Sequence, residues 1–144
     1  FSKSAAMTGW RVGYAAGPEE IIQHMNTLQQ YTFVCAPSFA QKAAVVALKA
    51  DMRGKVDAYR RKRDIVYEGL KDVFEVVKPG GAFYIFPSPP DKNGDAFAQK
   101  AIENNVLIIP GSVFSEKKTH FRISFAAPDD VIRKGVEILK RLAG

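Results

Sequence analysis

Helical and extended patterns alternate along the second part of this chain, and their order restricts the folds open to it. After Arg53 the hydrophobic spacing predicts helix, strand, strand, helix, strand, strand and helix in turn. A small sheet with helices packed against it buries the apolar faces of all these segments. The sequence therefore predicts an α/β fold, an α+β sandwich in which helices cover a small mixed sheet.

The strands and helices of this part have separate signatures. Two strands are expected on either side of Pro79-Gly80-Gly81 in FEVVKPGGAFYIFP, a third in VLIIPG and a fourth in HFRISFA. A short helix is expected over 95–104, and the last helix opens at Pro128. A buried face of that last helix is predicted by the helical spacing of Ile132, Val136 and Leu139.

The first 52 residues contain one predicted strand and two predicted helices. The strand is WRVGYAAG, and the first helix is PEEIIQHMNTLQQY. Ser38 followed by Gln41 has the spacing of a capping box and opens an alanine-rich second helix. Because three elements are too few to enclose a core of their own, we expect 1–52 to be the end of a larger domain and 53–144 to form a separate small domain.

Composition and charge narrow the class of protein. The chain of 144 residues is 47% hydrophobic and 25% charged, which is typical of a globular protein. Its net charge of +6 is concentrated in RGKVDAYRRKRD, which is also the pattern of a solvated helix face. A nucleic-acid-binding module based on Arg60 to Arg63 is an alternative, although these residues lack the interleaved aromatic side chains on which single strands stack.

The cysteine and histidine content excludes an internal disulfide and a metal site. One cysteine cannot form an internal disulfide, and together with two distant histidines it gives no metal site. Cys35 lies in the apolar stretch FVCAPS, so we expect its side chain to be buried. No apolar run reaches the roughly 18 residues of a membrane span. We expect a cytoplasmic protein in a reducing compartment.

Two residues of the opening stretch are candidates for a ligand-binding site. They are Lys3 and Arg11, in FSKSAAMTGWRVGYAAG. A lysine amine set among small residues leaves room for a carbonyl compound with which it can form a Schiff base. If the chain reverses at Thr8-Gly9, Arg11 returns toward Lys3 and offers forked donors to a phosphate. An aldehyde and a phosphate together describe pyridoxal phosphate. A solvated lysine and an arginine in a surface ion pair are the ordinary alternatives.

Several ordered motifs resemble those of the class I and II aminotransferases, the fold type I pyridoxal-phosphate enzymes. SKSAAMTGWRVGYAAGP is similar to the lysine segment of that family, with Ser2, Lys3, Gly9, Arg11 and Gly13 in register. The sequence MTGWR within it is typical of the bacterial aspartate-aminotransferase-like branch. Four later segments resemble later elements of the family and occur in the same order. They are APSFAQKAAVVAL, PGGAFYIFP, VLIIPGSVF and FRISFA.

The resemblance implies a role for each matching residue. Lys3 corresponds to the lysine that binds the cofactor and moves a proton during the reaction, and Arg11 to the arginine that binds the cofactor's phosphate. Ser2 is a further cofactor-binding candidate, although the family's phosphate-binding serine commonly lies three residues before the lysine. Arg122 corresponds to the arginine that binds the substrate's α-carboxylate.

The pattern around Arg122 supports that role independently. On a strand, alternate residues from Phe121 to Phe125 point toward a core, and Arg122 points the other way among small residues, with room for a carboxylate. An exposed strand arginine is the alternative. The resemblance implies an aromatic residue near the substrate at Phe83 or Tyr84, and we expect at least one of the two to pack in the core.

The resemblance also implies an activity and an assembly. It implies transfer of an amino group between an L-amino acid and a 2-oxo acid, and a homodimer with residues 31–38 at its interface. It assigns 1–52 to the C-terminal end of a large domain and 53–144 to a small C-terminal domain. This piece alone is expected to be inactive, because the family's other cofactor contacts lie upstream of Lys3. A carbon–sulfur lyase of the same fold type, or an aminotransferase-like ligand-sensing domain of a regulator, is an alternative, and the substrate's side chain is left open.

Overall fold

The computed structural model describes all of residues 1–144 and divides into two compact units, 1–54 and 55–144. This division lies close to the boundary expected between residues 52 and 53. The assignment of the units to a large and a small domain stays a prediction. None of the helices is both long and apolar enough to cross a membrane.

The first unit consists of a short 3-10 helix, Thr8–Trp10, and two α-helices, α1 over Glu19–Thr32 and α2 over Ser38–Ala47. Pro18 occupies the N-cap of α1, and two glutamates lie in its first turn, where they interact favourably with the helix dipole. The alanine-rich face of α2 forms a small core with the opening loop. The buried side chains of this core are Met7, Val12, Ala40 and Ala44.

The strand predicted in WRVGYAAG is absent, and that prediction was wrong. Residues 8–10 form the 3-10 helix, and residues 12–18 belong to no regular element. A β-strand needs a hydrogen-bonded neighbour. The first unit contains no other strand with which this segment could pair.

The capping box predicted at the start of α2 was also wrong. Ser38 is the first helical residue, and Pro37 holds the N-cap position without a side-chain capping bond. The Gln41 side chain donates instead to the carbonyl of Ala36 at 2.8 Å. Proline at the N-cap thus moves the helix start by one residue and leaves the serine hydroxyl without the predicted role.

Cys35 is exposed, contrary to the buried position expected for it. Its backbone N–H donates to the carbonyl of Phe33 in a tight turn, and Val34 between them has a positive φ of 62°. The side chains of Phe33 and Val34 are each 67% exposed. The apolar composition of this segment therefore does not correspond to a buried position within the first unit.

The second unit contains a three-stranded sheet with helices packed against it. The strand order is β1-β3-β2, and both pairings are antiparallel, so the α+β sandwich is confirmed but the sheet is not mixed. The cause is that β3 lies between two earlier strands and runs against both. The elements are α3 over Arg53–Leu70, β1 over Tyr84–Ile85, α4 over Gly94–Glu103, β2 over Ile109–Pro110, β3 over Phe121–Ser124 and α5 over Asp129–Ala143.

Only one strand of the hairpin predicted around 79–81 forms as a strand. The other arm is reduced to a single antiparallel bridge between Glu75 and Ser88. Proline has no N–H to donate to a ladder. Ser88 exchanges both backbone hydrogen bonds with Glu75, and the next position that would donate on its C-terminal side is Pro90, which has no N–H.

The core of the second unit lies between the sheet and its helices. The rings of Phe74, Phe97 and Phe121 meet with centroids 5.0 to 5.8 Å apart, in edge-on and stacked arrangements that aromatic pairs prefer. The buried face predicted for α5 is confirmed. Other buried members of this core are Val66, Leu70, Ile85, Phe125, Ile132, Val136 and Leu139.

The basic residues of α3 are paired with acidic residues of this chain. Arg61 and Lys62 reach the carboxylate of Asp129, at the start of α5, over 3.0 and 3.6 Å. Such pairing favours a solvated helix face over a phosphate-binding surface, because few of these charges are left for a nucleic acid. Two further pairs are Arg60 with Asp57 and Arg63 with Asp64.

Candidate active site

The opening residues turn back on themselves and carry Lys3 at the surface. The carbonyl of Phe1 accepts hydrogen bonds from the backbone N–H groups of Ala5 and Met7, at 3.1 and 3.3 Å. The carbonyl of Lys3 accepts one from Ala6 at 3.4 Å. The reversal thus begins before the Thr8-Gly9 position expected from the sequence, and Lys3 is exposed on it.

Two hydrogen bonds connect Ser2 to Arg11 through Thr8. The Thr8 hydroxyl donates to the carbonyl of Ser2 at 2.8 Å, and the Arg11 guanidinium donates from Nη1 to the carbonyl of Thr8 at 2.9 Å. Ser2 takes part through its backbone carbonyl. Lys3 and Arg11 therefore belong to one closed loop, which we call the lysine loop (residues 1–12).

Two residues of the lysine loop adopt a costly backbone conformation. Ala6 has a φ of 55° and Arg11 a φ of 49°, both in the left-handed region. A residue with a Cβ in that region costs about 1–2 kcal/mol. Such strain persists where the surrounding structure determines it, and it clusters at functional sites. The strain therefore marks the lysine loop as a candidate functional segment.

The lysine loop is anchored on α2. Met7 and Val12, from the two ends of the 3-10 turn, are buried with Ala40 and Ala44 of that helix. Alanine side chains let the loop approach the helix closely. Sequence reasoning identified α2 only as a helix and missed that its alanine face supports the loop.

Arg122 lies on β3, the central strand of the sheet in the second unit. The alternation predicted for this strand is confirmed, because Phe121 and Phe125 are 0% and 1% exposed while Arg122 is half-buried on the other face. Its surroundings differ from the small residues expected. The guanidinium carbon lies 4.3 Å from the ring centre of Tyr84 and 4.2 Å from that of Phe114.

Strand pairing and a turn bring these two rings to Arg122. Tyr84 of β1 pairs with Ser124 of β3, two residues from Arg122 and on the same face. Phe114 follows a 3-10 helix, Gly111–Val113, that turns the chain after β2. Sequence reasoning named Tyr84 as a candidate near the substrate but missed Phe114, although the VLIIPGSVF motif contains it.

Gly111 permits the turn that carries Phe114. Its N–H donates to the carbonyl of His120 at 2.8 Å, and a Cβ there would lie 2.4 Å from that oxygen. A residue with a side chain cannot approach β3 so closely. Phe83, the other aromatic candidate, packs against the core of the unit.

Residues 1–139 match the family model described as aminotransferase class I and II. This chain therefore belongs to the class I and II aminotransferase family. Within it, the chain is aspartate-aminotransferase-like. A probable aspartate aminotransferase of Methanocaldococcus jannaschii is 42% identical over 99% of the chain, and the aspartate aminotransferase of Sulfolobus acidocaldarius is 37% identical over 95%.

Solved structures share the fold of the chain. The aspartate aminotransferase of Thermotoga maritima superposes with a TM-score of 0.90 at 33% identity, over 98% of this chain and 38% of its own. That of Rhizobium meliloti gives 0.87 at 32% identity, over 99% of this chain and 40% of its own. The chain likewise spans 41% and 38% of the two curated relatives.

Proposed function

We propose that the protein is a pyridoxal-phosphate-dependent aminotransferase that moves an amino group between an L-amino acid and a 2-oxo acid. The observation that carries this proposal is the closed lysine loop, in which Thr8 joins Ser2 to Arg11 beside Lys3, in a member of the aminotransferase family. An amine and a guanidinium are chemically suited to the aldehyde and the phosphate of the cofactor.

Lys3 is the proposed catalytic residue. The cofactor, when bound, supplies the electron-withdrawing ring that makes a proton on the substrate's Cα removable. The Lys3 amine binds the cofactor's aldehyde and, once a substrate amine has displaced it, accepts the proton from Cα as a general base. The short side chains of Ser4 and Ala5 leave room beside it for a bulky group.

Arg11 is the proposed phosphate-binding residue. One of its five N–H donors is used by the carbonyl of Thr8, which fixes the guanidinium on the loop and leaves the other donors for phosphate oxygens. Its permanent positive charge matches a doubly ionised phosphate. Ser2 is proposed as a third cofactor-binding residue. Its carbonyl accepts the hydrogen bond from Thr8 that closes the loop around the site.

Arg122 is proposed to receive the α-carboxylate of the substrate. A planar, forked donor pairs with a carboxylate through two parallel hydrogen bonds. This contact is common to all amino acids, and similar proteins include an aspartate aminotransferase, an aromatic-amino-acid aminotransferase and a probable N-acetyl-LL-diaminopimelate aminotransferase. We propose L-aspartate as the amino donor, in keeping with the aspartate-aminotransferase-like relatives.

A homodimer and a cytoplasmic location complete the proposal. The side chains of Tyr31 and Phe33 are 84% and 67% exposed, which supports a partner subunit over the segment 31–38. Ile21, Met25 and Leu28 of α1, which lie before this segment, are exposed as well. A single cysteine and no disulfide are in keeping with a reducing compartment.

An amino-transfer assay with L-aspartate and 2-oxoglutarate tests the proposed function. It uses the whole enzyme that contains this chain, because the chain spans 41% and 38% of its relatives and is expected to be inactive alone. Lys3→Ala is expected to abolish transfer, because Lys3 is the single lysine of the lysine loop. Lys49→Ala, which removes another exposed lysine, is the matched control and is expected to keep the parent rate. Transfer by Lys3→Ala at the parent rate, or no transfer by the whole parent enzyme with any amino acid, would contradict the proposal.

A further inference from the structure

Arg122 is a charged side chain without an ionic partner in this chain. The residue is half-buried, yet its guanidinium forms no hydrogen bond and no ion pair with any of residues 1–144. Arg61 and Lys62 of α3, in contrast, are paired with Asp129. Unused N–H donors on a half-buried cation favour an anion from outside the chain.

The contacts that Arg122 does make are with the faces of two rings. Its guanidinium carbon is 4.3 Å from the ring centre of Tyr84 and 4.2 Å from that of Phe114. A ring face attracts the guanidinium and leaves its in-plane N–H donors uncovered. Arginine has many rotamers, and fixing them when a ligand binds costs entropy. Rings that restrict the guanidinium before the ligand arrives reduce that cost.

Both rings are themselves held by neighbouring aromatic side chains. Tyr84 lies 4.3 Å from the ring of Phe83, and Phe114 meets Phe86 edge-on at 6.3 Å. Phe86 in turn stacks on His120 at 5.2 Å with an interplanar angle of 5°. Phe114 is 46% exposed, so it contributes less to the core than to the surroundings of the guanidinium.

We propose that Tyr84 and Phe114 are positioning residues that fix the Arg122 guanidinium for the carboxylate of the substrate. This inference rests on the proposed function, in which Arg122 receives that carboxylate. The two rings act through the orientation of the guanidinium and not through contact with the reacting atoms. Loss of either ring lowers the affinity for carboxylates while the fold is kept.

Calorimetric titration of the cofactor-loaded whole enzyme with succinate, a carboxylate without an amino group, measures this effect. Phe114→Leu and Tyr84→Leu each remove a ring and keep an apolar side chain. Each is expected to weaken succinate binding about 3- to 10-fold, with the melting temperature changed by less than about 2 °C. Tyr84→Phe keeps the ring and is expected to bind more tightly than Tyr84→Leu. Val113→Leu changes an exposed neighbour in the turn and is the control expected to bind as the parent does.

A double-mutant cycle with Arg122→Gln tests whether Phe114 acts through the arginine. Arg122→Gln alone is expected to weaken binding by about 30-fold or more. Adding Phe114→Leu to it is expected to change nothing further. The same double-mutant cycle can be measured as kcat/KM for L-aspartate, which covers a wider range of effects than the binding constants do. The decrease in kcat/KM from Phe114→Leu is expected mainly as a rise in KM.

The outcomes separate this inference from the proposed function. If the parent protein does not bind succinate, or Arg122→Gln binds it equally well, the proposed role of Arg122 is overturned together with the inference. If Arg122→Gln weakens binding but Phe114→Leu does not, or weakens it equally in both backgrounds, the positioning role is wrong and the proposed function stands.

Discussion

The hydroxyl of Thr8 donates to the carbonyl of Ser2 over 2.8 Å, and this bond closes the loop that carries Lys3. The carbonyl of Thr8 in turn accepts from the Arg11 guanidinium at 2.9 Å. Thr8 is therefore the residue through which the proposed Schiff-base lysine and the proposed phosphate-binding arginine are held on one turn of the chain.

Thr8→Val is expected to weaken binding of pyridoxal phosphate about fivefold. The substitution keeps the shape of the side chain and removes a hydrogen bond whose net contribution is of order 1 kcal/mol. Fluorescence titration with the cofactor measures the change. Thr27→Val is the control, because the Thr27 hydroxyl donates to the carbonyl of Gln23 within α1, at 3.1 Å. Equal affinities in the two variants would contradict a role for Thr8 in shaping the site.

Gly111→Ala is expected to lower the free energy of unfolding by about 2 kcal/mol, which is typical of a side chain forced into packed surroundings. The new Cβ would lie 2.4 Å from the carbonyl oxygen of His120. Urea denaturation followed by circular dichroism measures the change. The turn that positions Phe114 must then move, so succinate affinity is expected to fall as well.

Gly135→Ala is the matched control for this substitution. Gly135 lies inside α5, and a Cβ there meets no atom within 4 Å. Alanine is a better helix former than glycine, so this variant is expected to gain about 0.5–1 kcal/mol. If both variants changed stability in the same direction, the close approach at Gly111 would not be the cause.

Asp129 makes stability depend on pH at the acid end. Its hydrogen bond with Arg61 lowers the pKa of this carboxyl below its ordinary value of 3.8. A lowered folded-state pKa means that the ion pair stabilises the fold above pH 3.8 and ceases to do so as the pH falls through the lower, folded value. The melting temperature of Asp129→Asn is therefore expected to lie below that of the parent near neutral pH and to converge with it in acid.

Asp130→Asn controls for the interaction of Asp129 with the helix dipole. Asp130 lies in the same first turn of α5 but forms no ion pair. Melting temperatures recorded across the acid range, with and without about 1 M NaCl, compare the two variants, since salt weakens an exposed pair. A difference between Asp129→Asn and the parent that grew in acid would show that the ion pair is not responsible.

The helices of this protein follow from local sequence, whereas the strands do not. Spacing, proline and acidic first turns predicted α4 and α5 closely, since these signals act within a few residues. Strand β1 and the bridge at Glu75 depend on partners far along the chain, which local sequence does not specify. The strand predicted in WRVGYAAG failed because its segment lacks a partner strand in the first unit.

The residues of the candidate site that lie in sequence motifs could be predicted. Lys3, Arg11 and Arg122 were named from motifs in the sequence, and their roles stay predictions. Phe114 was missed because its contact with Arg122 arises only when the turn at Gly111 folds back over β3. The closure of the lysine loop by Thr8 depends on a side-chain bond that no spacing rule specifies.

Chemical trapping of the cofactor tests the central claim most directly. The whole enzyme that contains this chain is incubated with pyridoxal phosphate, treated with borohydride and digested, and the peptides are sequenced by mass spectrometry. We predict that a pyridoxyl-phosphate group is attached to Lys3 in stoichiometric amount, and that Arg11→Gln lowers the labelling at limiting cofactor. Labelling of another lysine in place of Lys3, or no labelling at saturating cofactor, would contradict the account.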